Sequence, residues 1–337
     1  MLRSSFRYLP KSQYYSSLTS QHLSRKRSIN STAASNMKTW TVDSFTTTPF
    51  KGNPAGVVAI IDDNDDIFTN DRKCLQISSE INLSETAFIR PLKYNNETNN
   101  RYQIRWFTPK VEVDLCGHAT LAAAHIICTE NPFGRITTAN TTNKRELIFD
   151  SVKSGITLSV KQELSTEGVN NKYTLDFPIQ SMSDEILEID DVVLDVFDND
   201  KNVTIKNIAK PINNDATIIE INDITYLKNK VFDSNKIMTK ISTRGLIITT
   251  AAAEENDKYD FYSRYFAPKS GIMEDPVTGS AHCKLADYWS KKLGKVKFKA
   301  YQASSRGGEL DLEIVNGDRV HITGSAVTMF HINTCCY

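Results

Sequence analysis

Short apolar runs, each bounded by turn residues, make up most of the chain. Runs of this length that are rich in Val, Ile, Tyr and Phe predict β-strands. Between two of them, Asn316-Gly317 is a strong signal for a tight hairpin of type I′. The predicted strands are 39–45, 57–61, 87–89, 102–107, 147–149, 156–160, 173–177, 246–250, 260–266, 310–315, 319–322 and 324–332.

Other stretches predict helices. Residues 71–81 have helical spacing of apolar side chains. Residues 118–128 are almost wholly apolar, which predicts a helix buried on all sides, inside a curled sheet. Residues 183–197 carry one apolar and one acidic face, and this pattern predicts an amphipathic helix on the surface.

Two hexapeptides about half a chain apart share one pattern. Arg105-Trp-Phe-Thr-Pro-Lys110 and Arg264-Tyr-Phe-Ala-Pro-Lys269 agree at four of six positions. Each is followed by a loop, a glycine and a helix, which is 118–128 in the first copy and 281–293 in the second. The same order in both places indicates an internal duplication, with one copy in each of two lobes.

Gly117 and Gly279 stand where these two helices begin. A helix start presents unpaired N–H groups and the positive end of the helix dipole, so each start is a ready anion site. If the two lobes face one another, both starts enclose a single polar pocket.

The composition of the 337 residues, with 40% hydrophobic and 24% charged residues, is that of an ordinary globular protein long enough for two lobes. No apolar run approaches the roughly 18 residues of a membrane span. The six cysteines include no Cys-x-x-Cys pair, and no Cys/His cluster has zinc spacing, so no metal site is predicted.

Residues 1–36 differ from the rest, since they contain six basic residues, many serines and no acidic residue. This composition fits a mitochondrial transit peptide, with a disordered tail as the alternative and Met37 as a possible second start. The expected location is therefore mitochondrial or cytoplasmic. Without this segment the net charge is minus six, because it holds six of the 40 basic and none of the 40 acidic residues, which argues against a nucleic-acid surface.

Glu85 and His118 are the first candidates for chemistry. Glu85 lies between an Asn-Leu-Ser turn and an apolar strand, where burial raises a carboxyl pKa and makes it a workable proton shuttle. His118 follows Gly117 at a helix start, whose dipole favours a neutral imidazole able to exchange a proton with substrate. The alternatives are an exposed loop glutamate and a structural histidine.

Three further candidates lie at the same two junctions. Asp275 would face His118 if the lobes meet, although a loop carboxylate or a helix cap is the alternative. Ser280 resembles a hydroxyl at a helix start, and no Gly-x-Ser-x-Gly surrounds it. Cys116 could act as a base, because a thiol at a helix start has a lowered pKa. A two-thiol racemase would need a second thiol at the matching position, which is Thr278.

Five blocks of the sequence together resemble the phenazine-biosynthesis-like family of isomerases, and above all its eukaryotic members. They follow the order of the family and cover the chain from about Met37 to its end, so the resemblance is specific. The blocks are Gly52-Asn-Pro-Ala-Gly56, Asn82-Leu-Ser-Glu-Thr-Ala-Phe88, Cys116-Gly-His-Ala-Thr120, Glu274-Asp-Pro-Val-Thr-Gly-Ser-Ala281 and Arg306-Gly-Gly-Glu309.

The resemblance implies the α+β fold of diaminopimelate epimerase. Two duplicated lobes would each form a curled, barrel-like β-sheet around a central α-helix, with the active site in the cleft between them. Residues 37–162 plus 326–337 would form the N-terminal lobe, because the last strand of this fold returns to the first lobe. Residues 163–325 would form the C-terminal lobe. The resemblance also implies a homodimer that needs no cofactor.

For the chemistry, the resemblance implies that Glu85 is the catalytic glutamate, a general acid and base that moves a proton between two carbon atoms. His118, Asp275 and Ser280 would support it. The expected substrate is a small carboxylate with an activated C–H bond.

Substrate binding would use the two helix starts. The resemblance implies that Gly117 and Gly279 give backbone N–H groups to the carboxylate or carbonyl of the substrate. Cys116 would line the pocket, where the phenazine enzymes carry a small residue. An amino-acid racemase or epimerase, and a non-catalytic binding or regulatory protein with the same pocket, remain the alternatives.

Overall fold

The structure, a computed structural model, describes residues 37–62, 66–92, 100–136, 144–163, 171–183, 185, 187–188, 191–254 and 256–332. The predicted leader, residues 1–36, lies outside the described residues. None of the helices in the described part of the chain is long and apolar enough to cross a membrane.

Strands dominate the described residues, and they join into one continuous mixed sheet. The strands are β1 (Met37–Ser44), β2 (Asn53–Ile60), β3 (Glu85–Pro91), β4 (Arg101–Phe107), β5 (Glu112–Val113), β6 (Lys144–Ser151), β7 (Thr157–Glu163), β8 (Lys172–Pro178), β9 (Ile205–Ala209), β10 (Ala216–Ile221), β11 (Gly245–Ala251), β12 (Phe261–Ala267), β13 (Ile272–Asp275), β14 (Lys297–Gln302), β15 (Gly308–Val315) and β16 (Arg319–Ile332). The α-helices are α1 (Asp71–Ile81), α2 (Gly117–Glu130), α3 (Asp191–Val196), α4 (Ile224–Asn229), α5 (Ser234–Lys240) and α6 (Gly279–Leu293).

The first half of the sheet closes on itself. Its strands follow the order β1-β2-β3-β4-β6-β7-β8-β16, and β16 returns to pair with β1. Helix α2 fills the interior and contacts β1, β2, β3, β8 and β16. Ten consecutive residues of α2, from His118 to Ile127, are buried. This explains the wholly apolar sequence of the helix and confirms the prediction of a buried helix inside a curled sheet.

The second half of the sheet runs β16-β15-β14-β12-β11-β10-β9 and packs its concave face on α6. The rings of Phe261 on β12 and Trp289 on α6 stack with centroids 5.6 Å apart. Helices α3, α4 and α5 cover the opposite face through a separate apolar cluster. Strands β10 and β11 are buried on both faces, which explains the apolar runs 218–219 and 246–248.

The internal duplication is visible in matching ion pairs. Arg105 on β4 donates through Nε to Glu112 Oε1 at 2.7 Å, and Arg264 on β12 donates through Nε to Glu274 Oε1 at 2.6 Å. Each guanidinium also donates to a backbone carbonyl of the segment that packs on the outer face, Phe68 in the first copy and Leu227 in the second. The predicted duplication is therefore confirmed.

Strand β16 joins the two curled sheets. Its first half, residues 319–325, pairs with β8, and its second half, residues 326–332, pairs with β1. The sequence predicted two separate strands here, and the structure shows one. Because β16 takes part in both sheets, the lobe boundaries given by the sequence stay a prediction.

Two local predictions have different outcomes. Asn316 and Gly317 both have positive φ, at 53° and 81°, as the predicted type I′ hairpin requires. The amphipathic helix predicted over 183–197 is wrong in extent. Of the described residues in this range, only those of α3 are helical. The backbone N–H of Ser183 instead donates to the carbonyl of Lys210.

Candidate active site

Helices α2 and α6 begin in the same way. Their N-cap residues, Cys116 and Thr278, both have extended backbone conformations, and neither side chain accepts a capping hydrogen bond from its helix. The side chains of the N-cap residues therefore leave the first-turn N–H groups of both helices available to another hydrogen-bond acceptor. The pair of anion sites at Gly117 and Gly279 stays a prediction, which needs such N–H groups at both helix starts.

Glu85 and His118 lie together. Glu85 is the first residue of β3, beside Ala55 of β2, and its Oε2 is 3.4 Å from Nε2 of His118. Their side chains are 13% and 8% exposed. Burial raises the pKa of Glu85, while hydrogen bonds from Ser84 and Cys116 act in the opposite direction. The sequence predicts a raised pKa for the same reason, which is burial in an apolar setting.

His118 is held neutral by its surroundings. Burial lowers its pKa, and the negative charge of Asp275 partly offsets the effect. Its Nε2 is also 3.3 Å from the hydroxyl of Ser84, and its carbonyl accepts a hydrogen bond from Ser44 at 2.8 Å. The lowered pKa favours the neutral imidazole that the sequence predicts, and its main cause is burial rather than the helix dipole.

The thiol of Cys116 is buried beside the same imidazole, with Sγ 3.4 Å from Nδ1 of His118. Burial raises its pKa well above the ordinary value, and the charge of Glu85 raises it further. The lowered pKa expected for a thiol at a helix start is therefore wrong here. Loss of water around the thiolate outweighs the partial charge of the helix start.

Asp275, at the end of β13, connects the start of α6 with this cluster. Its Oδ1 accepts a hydrogen bond of 2.8 Å from Nδ2 of Asn53 on β2, and its Oδ2 accepts one from the hydroxyl of Thr278. Burial raises the pKa of Asp275, and the charges of His118 and Glu85 act on it in opposite directions. Asp275 thus belongs to the same electrostatic cluster as the first helix start.

Asn53 and Gln302 hold the two junctions in place. Asn53 Nδ2 also donates to the carbonyl of Val277 at 2.8 Å, directly before the start of α6. Gln302 donates to the carbonyl of Asp275 at 2.6 Å and accepts from the backbone N–H of Thr278 at 2.9 Å. Neither residue was predicted. Asn53 lay within a recognised block, whereas no sequence signal marks Gln302.

The remaining predicted residues differ in exposure. Gly117 is half-buried and Gly279 is buried at the start of α6. No heavy atom of the described residues lies within 4 Å of the place where a Cβ of Gly279 would be, so there is open space beside this start. Ser280 is exposed, and its carbonyl accepts a hydrogen bond from Nζ of Lys284 at 3.3 Å.

Paired curled sheets around buried helices, whose starts share a carboxylate and imidazole cluster, define the diaminopimelate epimerase-like fold class. The family model described as PhzC-PhzF, phenazine biosynthesis-like protein, matches residues 42–332. The chain belongs to this family, as the sequence blocks predicted.

Relatives from bacteria and mammals agree with this assignment. A Halalkalibacterium halodurans protein named as an uncharacterized isomerase is 38% identical over 291 residues, which cover 86% of this chain and 95% of the relative. Phenazine biosynthesis-like domain-containing protein 1 of Mus musculus is 36% identical over 296 residues, with coverage of 85% and 94%. The crystal structure of a PhzF-family phenazine biosynthesis protein of Enterococcus faecalis aligns with a TM-score of 0.70 and 31% identity, covering 88% of this chain and 97% of that one.

Proposed function

We propose that the protein is a cofactor-independent isomerase that moves a proton between two carbon atoms of a small carboxylate substrate. The observation that carries the proposal is the buried carboxylate of Glu85, 3.4 Å from the imidazole of His118 at the start of α2. Membership in a family whose relatives include a protein named isomerase supports the reaction class.

Glu85 acts as general base and then as general acid. Its burial raises its pKa above the ordinary value, which brings the carboxyl closer to the pKa that efficient proton transfer at neutral pH requires. The carboxylate removes a proton from one carbon and holds it as a carboxylic acid, whose proton can exchange with solvent. The same group then returns the proton to a second carbon of the bound substrate.

His118 stabilises the negative charge that develops on the substrate during this transfer. A neutral imidazole donates a hydrogen bond to a substrate oxygen without the cost of a buried cation, and burial holds His118 in this form. Asp275 accepts hydrogen bonds from Asn53 and Thr278, and its charge partly offsets the lowering of the pKa of His118 by burial.

The substrate carboxylate binds at the helix starts. The N-cap side chains of α2 and α6 do not occupy the first-turn amides, and open space lies beside Gly279. Backbone N–H groups of Gly117 and Gly279 are placed to donate to the anion. The hydroxyl of Ser280, exposed at the same turn, adds a further donor.

A two-base racemase is the weaker alternative. Such an enzyme needs a second base at the start of α6, and that position is Thr278, whose hydroxyl donates to Asp275. A non-catalytic binding protein would need the pocket but not the raised pKa of Glu85. The homodimer and the mitochondrial or cytoplasmic location remain predictions from the resemblance and from residues 1–36.

The test starts from cells, because a comparison of their metabolites identifies the substrate. Metabolites are compared between cells that carry the wild-type protein and cells that carry Glu85→Gln. We expect a small carboxylate to accumulate with the variant and to be isomerised by the purified wild-type protein. Identical metabolite profiles, with the variant folded and expressed at the same level, would reject the catalytic proposal in favour of a binding role.

A further inference from the structure

Glu85, Cys116 and His118 bring three different metal-binding atoms to one place. A carboxylate oxygen, a thiol sulfur and an imidazole nitrogen all lie within 4.8 Å of one another among the described residues. The proton transfer proposed above uses the carboxylate and the imidazole and gives the thiol no part. The cluster therefore offers a set of metal ligands that the proposed proton transfer does not require.

The separations are close to those of a tetrahedral zinc site. Zinc bonds of about 2.0–2.3 Å to nitrogen, oxygen and sulfur place tetrahedral ligands roughly 3.3–3.6 Å apart. Nε2 of His118 is 3.4 Å from Oε2 of Glu85 and 4.0 Å from Sγ of Cys116. The separation of Nε2 and Oε2 already falls in that range, and the sulfur would have to move toward Nε2 by a few tenths of an ångström.

We propose that this cluster binds one thiophilic divalent cation, of which Zn²⁺ is the representative. A thiolate and an imidazole favour Zn²⁺ over Mg²⁺ or Ca²⁺, which prefer oxygen ligands. The three side chains leave a fourth position for water or a substrate carboxylate. The hydrogen bond from Ser44 to the carbonyl of His118 helps to fix this first turn of α2.

A bound cation would inhibit the enzyme rather than assist it. The cation takes the carboxylate of Glu85, so Glu85 no longer exchanges protons with the substrate. This consequence rests on the proposed function, whereas the binding itself does not. No zinc motif is visible in the sequence, because Cys116 and His118 are only two residues apart and Glu85 lies on a different element.

The test is calorimetric titration of the full chain with Zn²⁺, and Mg²⁺ serves as the control cation. Cys335 and Cys336 are first replaced by serine, so that this adjacent pair of thiols does not bind the metal. In that background we compare Cys116→Ala and Glu85→Gln with Cys128→Ser, a half-buried thiol outside the cluster.

We expect one equivalent of Zn²⁺ to bind, and the affinity to fall more than about tenfold in Cys116→Ala but not in Cys128→Ser. With Co²⁺ as a spectroscopic substitute, a thiolate charge-transfer band should appear and vanish with Cys116→Ala. Cys116→Ser, which has nearly the same shape, repeats the comparison if the alanine variant unfolds. Equal affinity in the Cys116 variants and the background protein, or no binding by that protein, would overturn the proposal. Because the readout is binding, the result does not depend on finding the substrate.

Discussion

Asn53 is the residue through which the two halves of the candidate active site are joined. Its amide nitrogen donates both to Oδ1 of Asp275 and to the carbonyl of Val277, each at 2.8 Å. The side chain is fully buried and lies more than two hundred residues away from its partners in sequence. A buried carboxyl that loses such a donor keeps its full desolvation cost.

Asn53→Ala should therefore lower both stability and turnover. We expect the free energy of unfolding to fall by about 2 kcal/mol, because Asp275 is left with one hydrogen-bond donor fewer. Urea unfolding measures this change, and Asn213→Ala, at an exposed position, is the control with an expected change within about 0.5 kcal/mol. Equal changes in the two variants would show that Asn53 does not hold the junction.

At this scale the sequence predicted candidate residues that the structure brings together, but not the residues that support them. Glu85 and His118 stand in short blocks with helix-start and strand signals, so they could be named as candidates before their contacts were known. Gln302 has no such signal, because its partners at Asp275 and Thr278 are set by tertiary packing alone. The pKa of Cys116 was predicted in the wrong direction, since the sequence did not show how completely the thiol is buried.

At the scale of elements, each copy of the duplicated motif ties a sheet to its outer helices. Arg264 on β12 pairs with both carboxylate oxygens of Glu274 and donates to the carbonyls of Leu227 and Lys230 at the end of α4. The side chain of Arg264 is only 9% exposed. Loss of its carboxylate partner would leave a buried cation without a counter-charge.

Glu274→Ala should destabilise the protein by about 3 kcal/mol, because the guanidinium of Arg264 stays buried and loses its counter-ion. The matched control is Glu313→Ala, which breaks the exposed ion pair with Lys297 at 2.8 Å. We expect at most about 1 kcal/mol from that change. Denaturant unfolding of both variants makes the comparison, and a loss at Glu274 no larger than at Glu313 would contradict the proposed role of the buried pair.

Elements were predictable where the local pattern and the tertiary environment agree. The apolar sequence of α2 predicts complete burial, and the closed sheet around the helix buries it. The acidic, amphipathic stretch 183–197 predicts a long helix, yet Met182 bridges Pro211 and Ser183 pairs with Lys210. Contacts with residues 210 and 211 replace helical hydrogen bonds at the start of this stretch, and such distant partners are not visible in a local pattern.

At the scale of the whole molecule, neutral imidazoles buried in both halves make stability depend on pH. Burial lowers the pKa of His125 on α2 and of His282 on α6 to about 4 each, from 6.5. The unfolded chain then binds more protons than the folded one between about pH 4 and 6.5, so stability is lost as the pH falls through this window. The raised pKa values of Glu85 and Asp275 act in the opposite direction.

A variant separates these opposing contributions. His125→Gln removes one buried titration and retains an amide for the partners of the imidazole, the hydroxyls of Tyr173 at 3.1 Å and Thr328 at 3.0 Å. Relative to this variant, the wild-type protein should lose about 2 kcal/mol of unfolding free energy between neutral pH and about pH 4.5. Urea unfolding at both pH values checks it, with His331→Gln at an exposed position as the control. A parallel pH dependence in all three proteins would refute the contribution of His125.

The most direct test of the account is solvent deuterium exchange into the substrate that the metabolite comparison identifies. Purified wild-type protein, Glu85→Gln and Cys116→Ala are each incubated with that substrate in heavy water, and each carbon position is followed by NMR. We predict that the wild-type protein and Cys116→Ala exchange hydrogen with solvent during isomerisation, and that Glu85→Gln does not. Exchange that survives in Glu85→Gln but is lost in Cys116→Ala would make the thiol the base and contradict the central claim that Glu85 transfers the proton.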